Sequence, residues 1–452
     1  MTVGGERAHV AVIGAGFSGL MTAVHLTTLS ADLRVTLIER RPVFGRGVAY
    51  DTRDPGHLLN VRLDNMSAFP DRPDDLADWL AARDAPPAPH GFIGRGLYGD
   101  YLSEIRDRAV AASNGRLTLM PAEAQALDRT AEGWRVSTSD GPPLDADAVV
   151  LALGNLEPGT PPGIDPTLRA SPLYIENPWS LDPQALAPQA LDDARRILVI
   201  GTGLTMVDTV LSLGAPGRRF VALSRRGLTP RAHAAEVQPP GDGLFSGGPS
   251  QVLAQVRAAS ARQDWRPVFD RLRRLARDLW RSWTPVERSR FLRHLRPLWD
   301  VHRHRLAPSI AAQIEALRKT GDLTLQAGRL TESRLTDTGV QVCWRPRGGQ
   351  DAVCEDFDLV VNCTGPLGAV ARSTRLLIRD LLAKGFVQPD PLGLGLTVDE
   401  ECRPLDLTGR PVPGLYAIGP LTRGAAWEIT AVPDLRGAAL DLARRVAADM
   451  AV

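Results

Sequence analysis

The sequence predicts an α/β chain in which two Rossmann-like dinucleotide-binding domains carry a helical insertion, and three observations predict it. An apolar run, Val10-Ala11-Val12-Ile13, stops at Gly14 and is followed by Gly16 and Gly19, which is G-x-G-x-x-G between a strand and a helix. The pattern returns at Ile197-Leu198-Val199-Ile200-Gly201-Thr202-Gly203, with Leu204 and Thr205 opening the next helix. From Ser250 to Leu317 the composition changes to basic, tryptophan-bearing helices.

In the first fingerprint Gly14 permits the tight turn, Gly16 lets the backbone approach a pyrophosphate, and Gly19 lets the helix pack close to the sheet. Phe17 and Ser18 open that helix, whose N-terminus faces the phosphates. A second apolar strand ends in Glu39, 20 residues beyond the last glycine, where a carboxylate accepts hydrogen bonds from a ribose 2′-hydroxyl. Arg40 follows it, and the spaced glycines of residues 40–50, Gly47 among them, predict a loop over the nucleotide rather than a helix. Asn60 stands amid apolar residues in a loop and either caps a turn or bonds a ligand. Helices are expected over 74–82, with Leu76, Trp79 and Leu80 on one face, and over 98–110, with Tyr101, Leu102, Ile105 and Ala109 inward. Residues 117–136 alternate as strands do, a buried strand ends at Gly154, and the Pro- and Gly-rich residues 158–166 read as a crossing between domains.

In the second fingerprint Met206 replaces the third glycine and should hold helix and sheet slightly apart. Glu39 lies 25 residues after Gly14, and the same count from Gly201 reaches Arg226, with Arg225 beside it. Such a pair can hold a 2′-phosphate and select NADP(H), or it is a solvated strand end. Trp265, Phe269, Leu272, Ala276, Leu279 and Trp283 recur at spacings of 4, 3, 4, 3 and 4, one face of a continuous helix. Thr284-Pro285-Val286-Glu287 is a capping box that starts the next helix, which Pro297 should interrupt. His302 and His304 are two apart, on opposite sides of a helix, and make no metal pair. Further β-structure is expected over 326–344, a buried strand ends at Gly365, a last one ends at Gly419, and Pro433 marks the first turn of the final helix.

At 452 residues the chain is long enough for two or three domains. A net charge of +1 recommends neither nucleic acid nor an anionic membrane as a partner. With no signal peptide pattern and no apolar run of membrane-spanning length, the expected location is cytoplasmic. Cys343, Cys354, Cys363 and Cys402 show neither C-x-x-C nor zinc spacing and read as reduced thiols, with no metal. High Ala, Arg, Pro and Gly with few Lys gives a bacterial impression.

Two fingerprints, strand-to-glycine returns at Gly154 and Gly365 and a closing strand at Gly419 resemble the two-dinucleotide-binding-domain flavoproteins. More narrowly, the motifs GVAYDT, HLLNV, NPW, GTGLTMVD, LSRRG, WDVHRHR and AIGPLTRGAAWEITAVPDLR resemble a bacterial family labelled only FAD/NAD(P)-binding protein. Asn60, residues 69–80 and Arg95-Gly96-Leu97-Tyr98-Gly99-Asp100-Tyr101 are loosely similar to flavin-dependent amine N-hydroxylases. The F-x-G-x-x-x-H signature of flavin monooxygenases is missing, and Asn177-Pro178-Trp179 occupies that region. The resemblance implies FAD at the first site and NADPH at the second. It implies an FAD domain over 1–165 and 366–452, a nucleotide domain over 190–245 and 321–365, and the insertion over 246–320.

The expected activity is that of an oxidoreductase acting on a small-molecule substrate: an NADPH-using monooxygenase, with amine N-hydroxylation the nearest chemistry. A flavin oxidoreductase that inserts no oxygen and a non-catalytic redox sensor are the alternatives. The helix N-terminus at Ala431 and Val432 would face the flavin pyrimidine. Asn60, Trp427 and Glu428 are the candidate catalytic residues. Glu428 would bind a cationic substrate or a flavin hydrogen, or else pair with Arg423 or Arg436. The insertion could wall a pocket or present a dimer face.

Overall fold

Four consecutive apolar residues, Val10 to Ile13, are buried, as a strand covered on both faces requires. Their strand, Ala8–Ile13, is the middle of a five-stranded parallel sheet in the order Leu415–Ala417, Ala148–Leu151, Ala8–Ile13, Leu33–Glu39, Leu117–Pro121. This computed structural model describes residues 7–83, 85, 91–180, 193–239, 241 and 243–451. The helix Phe17–Leu29 lies against the C-terminal helix Val432–Asp449, and Leu20, Val24, Leu435 and Ala439 share their core. The chain therefore closes its first sheet with its last strand and last helix.

The second sheet has seven strands in the order Val353–Phe357, Gly339–Pro346, Leu323–Thr336, Arg219–Ser224, Arg196–Ile200, Leu359–Asn362, Tyr174–Ile175. Its first two joins are antiparallel and the rest parallel. The two-residue strand Tyr174–Ile175 is too short to leave a sequence pattern. A small antiparallel sheet, Ala124–Arg129, Trp134–Thr138 and Leu144–Ala146, is held by helix Leu376–Ala383, whose Asp380 accepts a bond from Leu127 N at 3.0 Å. Among the described residues no helix is long and apolar enough to cross a membrane.

In the insertion, helix Trp265–Ser282 buries Phe269, Leu272, Ala276 and Leu279 as the spacing requires, and Asp264 caps it through Arg266 N at 2.9 Å. The Thr284–Glu287 capping box forms, and the following helix stops at His294 so that Pro297 sits in the first turn of Arg296–Arg303. Proline there loses no needed donor. Trp427, from the C-terminal segment, completes this core beside Trp280, Phe291 and Trp299. Helix Pro308–Thr320 instead buries Ile310 and Ile314 in the core of the second sheet.

Three expectations need correction. Cys343 and Cys354 are not reduced thiols: they stand in register across the two antiparallel edge strands, Cα atoms 4.1 Å apart, and form a disulfide. A separation of 11 residues conceals this, because only strand pairing brings the side chains opposite each other. The loop over the nucleotide contains a one-turn helix, Gly47–Tyr50, since a glycine can begin a helix where it ends a turn. His304 is outside the helix, as the residue that ends Arg296–Arg303.

A junction cavity between two glycine turns

At the carboxyl ends of the first sheet's strands a cavity of about 410 Å³ reaches from Gly14, Gly16 and Glu39 to Leu204, Thr205 and Asp208 of the second fingerprint. Gly14 has φ +100°, and a Cβ there would lie 2.3 Å from the Ala152 carbonyl oxygen, so the crossing of the next strand forces glycine. A Cβ on Gly19 would lie 1.8 Å from the Gly14 oxygen. Gly16 faces Gly47 with no side chain between them, and helix Phe17–Leu29 begins at Gly16 with no side-chain cap. Its first N–H groups are therefore open to an anion.

Glu39 ends its strand with Oε2 accepting from Ala15 N at 2.8 Å and Oε1 from Arg41 N at 3.2 Å. Arg40 reaches Glu157 at 2.6 Å, and Arg375 clasps the same carboxylate through Nε and Nη2 at 3.0 and 2.9 Å. Burial alone would raise the Glu157 carboxyl, but these guanidinium groups bring it down to about 2. Gly154 and Gly365 line the cavity, both at positive φ. A Cβ on Gly419 would lie 3.2 Å from Ser18 Oγ. Ala431 precedes helix Val432–Asp449 with no side-chain cap, and Thr430 and Leu435 of that turn line the cavity. A second helix N-terminus thus faces the space.

The second fingerprint repeats the turn. Gly201 has φ +122° with its would-be Cβ 2.2 Å from the Cys363 oxygen, and Gly203 begins helix Leu204–Leu213 with no side-chain cap and nothing within 4 Å of its Cβ position. Where the two domains meet, Arg95 pairs with Asp208 at 3.1 Å and lies 5.0 Å over the Trp179 ring. Burial favours the neutral form of Asp208, and Arg95 opposes it. Tyr50 meets Tyr98 edge-on at 4.7 Å. His57 bonds Thr52 Oγ1 through Nδ1 and Ser212 Oγ through Nε2, both at 2.8 Å, which staples the first domain to the second fingerprint's helix.

Residues 11–156 match a family model described as FAD-NAD(P)-binding, and residues 315–431 match one described as an FAD binding domain. The chain is an FAD- and NAD(P)-binding flavoprotein. No curated protein matches it in sequence. Among solved structures it is similar to the ornithine N-hydroxylase of Kutzneria sp. 744, described with reduced FAD, NADP+ and L-ornithine (16% identity, 97% of this chain and 98% of that one, TM-score 0.64). The L-lysine 6-monooxygenase of Pseudomonas syringae is similar too (18%, 98% of each, 0.65). So is the thioredoxin reductase of T. acidophilum (13%, 99% and 100%, 0.53). At these identities the likeness is one of fold.

The glycine cradle and uncapped helix starts of this flavoprotein fit a dinucleotide at each fingerprint, and the first could hold FAD. Other site candidates lie differently. Asn60 is half-buried away from the cavity lining, and its carbonyl accepts from His233 Nε2 at 3.0 Å, a link to the loop that follows the second fingerprint. Arg226 donates to the carbonyls of Arg293 and His294 at 3.0 and 3.3 Å, tying down a helix C-terminus, while Arg225 is exposed. Glu428 pairs neither with Arg423 nor with Arg436. Its oxygens accept from Arg303 Nε at 2.6 Å and Trp299 Nε1 at 2.8 Å, with Arg273 at 3.8 Å. Burial opposes ionisation of Glu428, yet Arg303 holds it below the usual carboxylate range. Trp427 is buried against Trp280, ring centroids 4.9 Å apart.

Sequence reasoning passed over Arg95, Asp208, Tyr50, Glu157 and Arg375 as site residues. Arg95 and Tyr50 stand in segments quoted for the family resemblance, and Asp208 left a signal of its own, an acid in a helix whose neighbours Met206, Val207 and Val210 are apolar and buried.

Proposed function

We propose that the protein is an NADPH-dependent flavin monooxygenase acting on a small molecule, with amine N-hydroxylation as the first reaction to test. The observation that carries this reading is the aromatic wall of Trp280, Phe291, Trp299 and Trp427, which buries the segment leading into the helix at Ala431. Oxygen insertion needs water kept from the reacting centre; these four rings are not in the described cavity lining and would exclude water from behind the turn at Ala431. A relay to a dithiol is less favoured, because no cysteine is among the described lining residues of the cavity and the Cys343–Cys354 disulfide sits on an edge of the second sheet.

When bound, the flavin supplies hydride acceptance and oxygen activation. The chain supplies position and charge. Gly14, Gly16 and the N-terminus at Phe17 would take the pyrophosphate, and Glu39 the adenosine ribose. The helix start at Ala431 and Val432 would favour negative charge on the group beside it. Gly203, Leu204 and Thr205 would seat the nicotinamide dinucleotide, with Arg225 at its 2′-phosphate. Arg95 and Asp208, paired across the domain junction, would hold the two domains in register at the cavity.

The test is to reduce the FAD-loaded protein anaerobically with NADPH, admit labelled oxygen with lysine, ornithine and simpler amines, and count label in product against hydrogen peroxide. One labelled atom per product molecule is expected. Reoxidation that is slow in oxygen and rapid with quinones would replace this reading with the oxidoreductase one.

A further inference from the structure

Around Trp427 the insertion and the C-terminal segment enclose a cluster of charge that the nucleotide sites leave unused. Arg303 and Arg273 meet Glu428 at 2.6 and 3.8 Å, and Arg273 also pairs with Asp434 at 2.6 Å. The Arg423 guanidinium lies 4.3 Å over the Trp427 ring and that of Arg296 lies 5.9 Å from it, while Arg296 reaches Asp300 at 3.4 Å. Four guanidinium groups, Arg273, Arg296, Arg303 and Arg423, thus meet three carboxylates, Asp300, Glu428 and Asp434. Burial pushes the Asp300 and Asp434 carboxyls up, and the neighbouring guanidinium groups oppose it. His304, pushed down to about 4 by burial, adds no charge at neutral pH.

Hydrogen bonding points to the same sign independently. Five buried polar atoms of this cluster have no hydrogen-bond partner among the described residues: Arg273 Nε, Arg303 Nη2, Arg423 Nε, Trp427 Nε1 and Asp300 Oδ1. Four are donors and one is an acceptor. A buried donor without a partner is costly. Arg273 Nε and Arg303 Nη2 have the Glu428 and Asp434 carboxylates at 3.8 and 3.9 Å, whereas Arg423 is in no ion pair among the described residues. Arg423 Nε and Trp427 Nε1 therefore call most for an acceptor from outside the chain. Two belong to side chains more than nine-tenths buried, Arg303 at 6% exposure and Trp427 at 2%. The cluster's side chains are not in the described lining of the dinucleotide cavity, but Pro420, Thr430 and Leu435, on either side of Arg423 to Glu428 in the chain, are.

We propose that Arg303, Arg423 and the Trp427 indole N–H form a subsite for the carboxylate of a small-molecule substrate. A carboxylate offers two acceptor oxygens, which suits guanidinium and indole donors gathered about Trp427 and Glu428. The proposal rests on the reading that a substrate is turned over at the flavin, and it reverses the sign expected from Glu428. That carboxylate is already neutralised by Arg303 and Arg273, so it does not recruit a cation. Asp300 is the competing anion beside Arg296 and Arg423.

The test titrates the full-length, FAD-loaded protein with benzoate, uncharged benzamide and phenylphosphonate, following tryptophan fluorescence and heat. Benzoate should bind at least about tenfold more tightly than benzamide, since a charge-assisted hydrogen bond is worth about 1.5–3 kcal/mol. Arg423→Gln should abolish that preference, Arg423→Lys should restore part of it, and Asp300→Asn should tighten benzoate severalfold. Equal affinity for benzoate and benzamide, or an unchanged ratio in Arg423→Gln with FAD still bound, overturns the subsite. If Arg423→Gln loses its FAD, Asp300→Asn decides, and unchanged benzoate affinity there overturns it. Phenylphosphonate binding more tightly than benzoate overturns the carboxylate assignment. The same samples are mixed anaerobically with NADPH: a flavin that stays oxidised defeats the monooxygenase reading, while the benzoate preference stands or falls by itself.

Discussion

The two fingerprints share their turn and differ in the helix and the mouth beyond it. Gly14 and Gly201 are both forced by the end of the neighbouring strand, with would-be Cβ atoms 2.3 and 2.2 Å from the Ala152 and Cys363 carbonyls. At the third position Gly19 has no room for a side chain, whereas Met206 is fully buried in the core of the second sheet. The turn glycine is therefore set by the crossing of the sheet, and the third residue by how closely the helix lies on the turn. The mouths differ as well. Gly47 stands opposite Gly16 at the first, while nothing lies near Gly203 at the second. A covered mouth suits a cofactor that stays, and an open one suits a nucleotide that arrives and leaves.

The largest expected effect breaks this comparison at its tightest point. Gly19→Val places carbon against a backbone oxygen that no rotamer change relieves, and should cost more than about 4 kcal/mol and abolish FAD retention. Yellow protein with unaltered melting temperature would show that the first helix can move off its turn. Glu39→Ala comes next. It removes an acceptor for a ribose hydroxyl and for Ala15 N, so FAD should dissociate about tenfold to a hundredfold more readily, the equivalent of about 1.5–3 kcal/mol. Glu39→Gln keeps an acceptor oxygen and should recover part of the loss. FAD release measured by fluorescence checks both, and unchanged release in Glu39→Ala would remove Glu39 from the site.

Much of this was legible because local rules and the fold agree. The fingerprints, the helix face from Phe269 to Leu279, the Thr284 capping box and the break at Pro297 each depend on residues within a few positions of one another. What depends on partners far along the chain was not legible. Arg95 meets Asp208 from the other nucleotide domain, Glu428 finds Arg303 rather than its neighbour Arg423, and Cys343 finds Cys354 only through strand register. Periodicity tells which face of an element is buried, and it is silent on what that face is buried against.

The smallest effect concerns the nucleotide choice of the second site, where structure sharpens what counting suggested. Strand register corrects the count: Ile13 pairs with Ile38 and Ile200 with Leu223, so Ser224 stands where Glu39 does and Arg225 and Arg226 follow it. Arg226 is engaged with the carbonyls of Arg293 and His294 and Arg225 is the exposed one. A guanidinium already tied to a helix end has fewer donors left for a 2′-phosphate, while an exposed one keeps all of them. Arg225→Ala should therefore lower the ratio of kcat/KM for NADPH over NADH about tenfold, or about 1.4 kcal/mol, mostly through KM for NADPH. Arg226→Ala should lower the melting temperature more than Arg225→Ala does, because it releases a helix C-terminus of the insertion. Should Arg226→Ala shift the nucleotide ratio while Arg225→Ala leaves it alone, Arg226 leaves its helix when NADPH binds, and the second site is remade by its nucleotide whereas the first is built in advance.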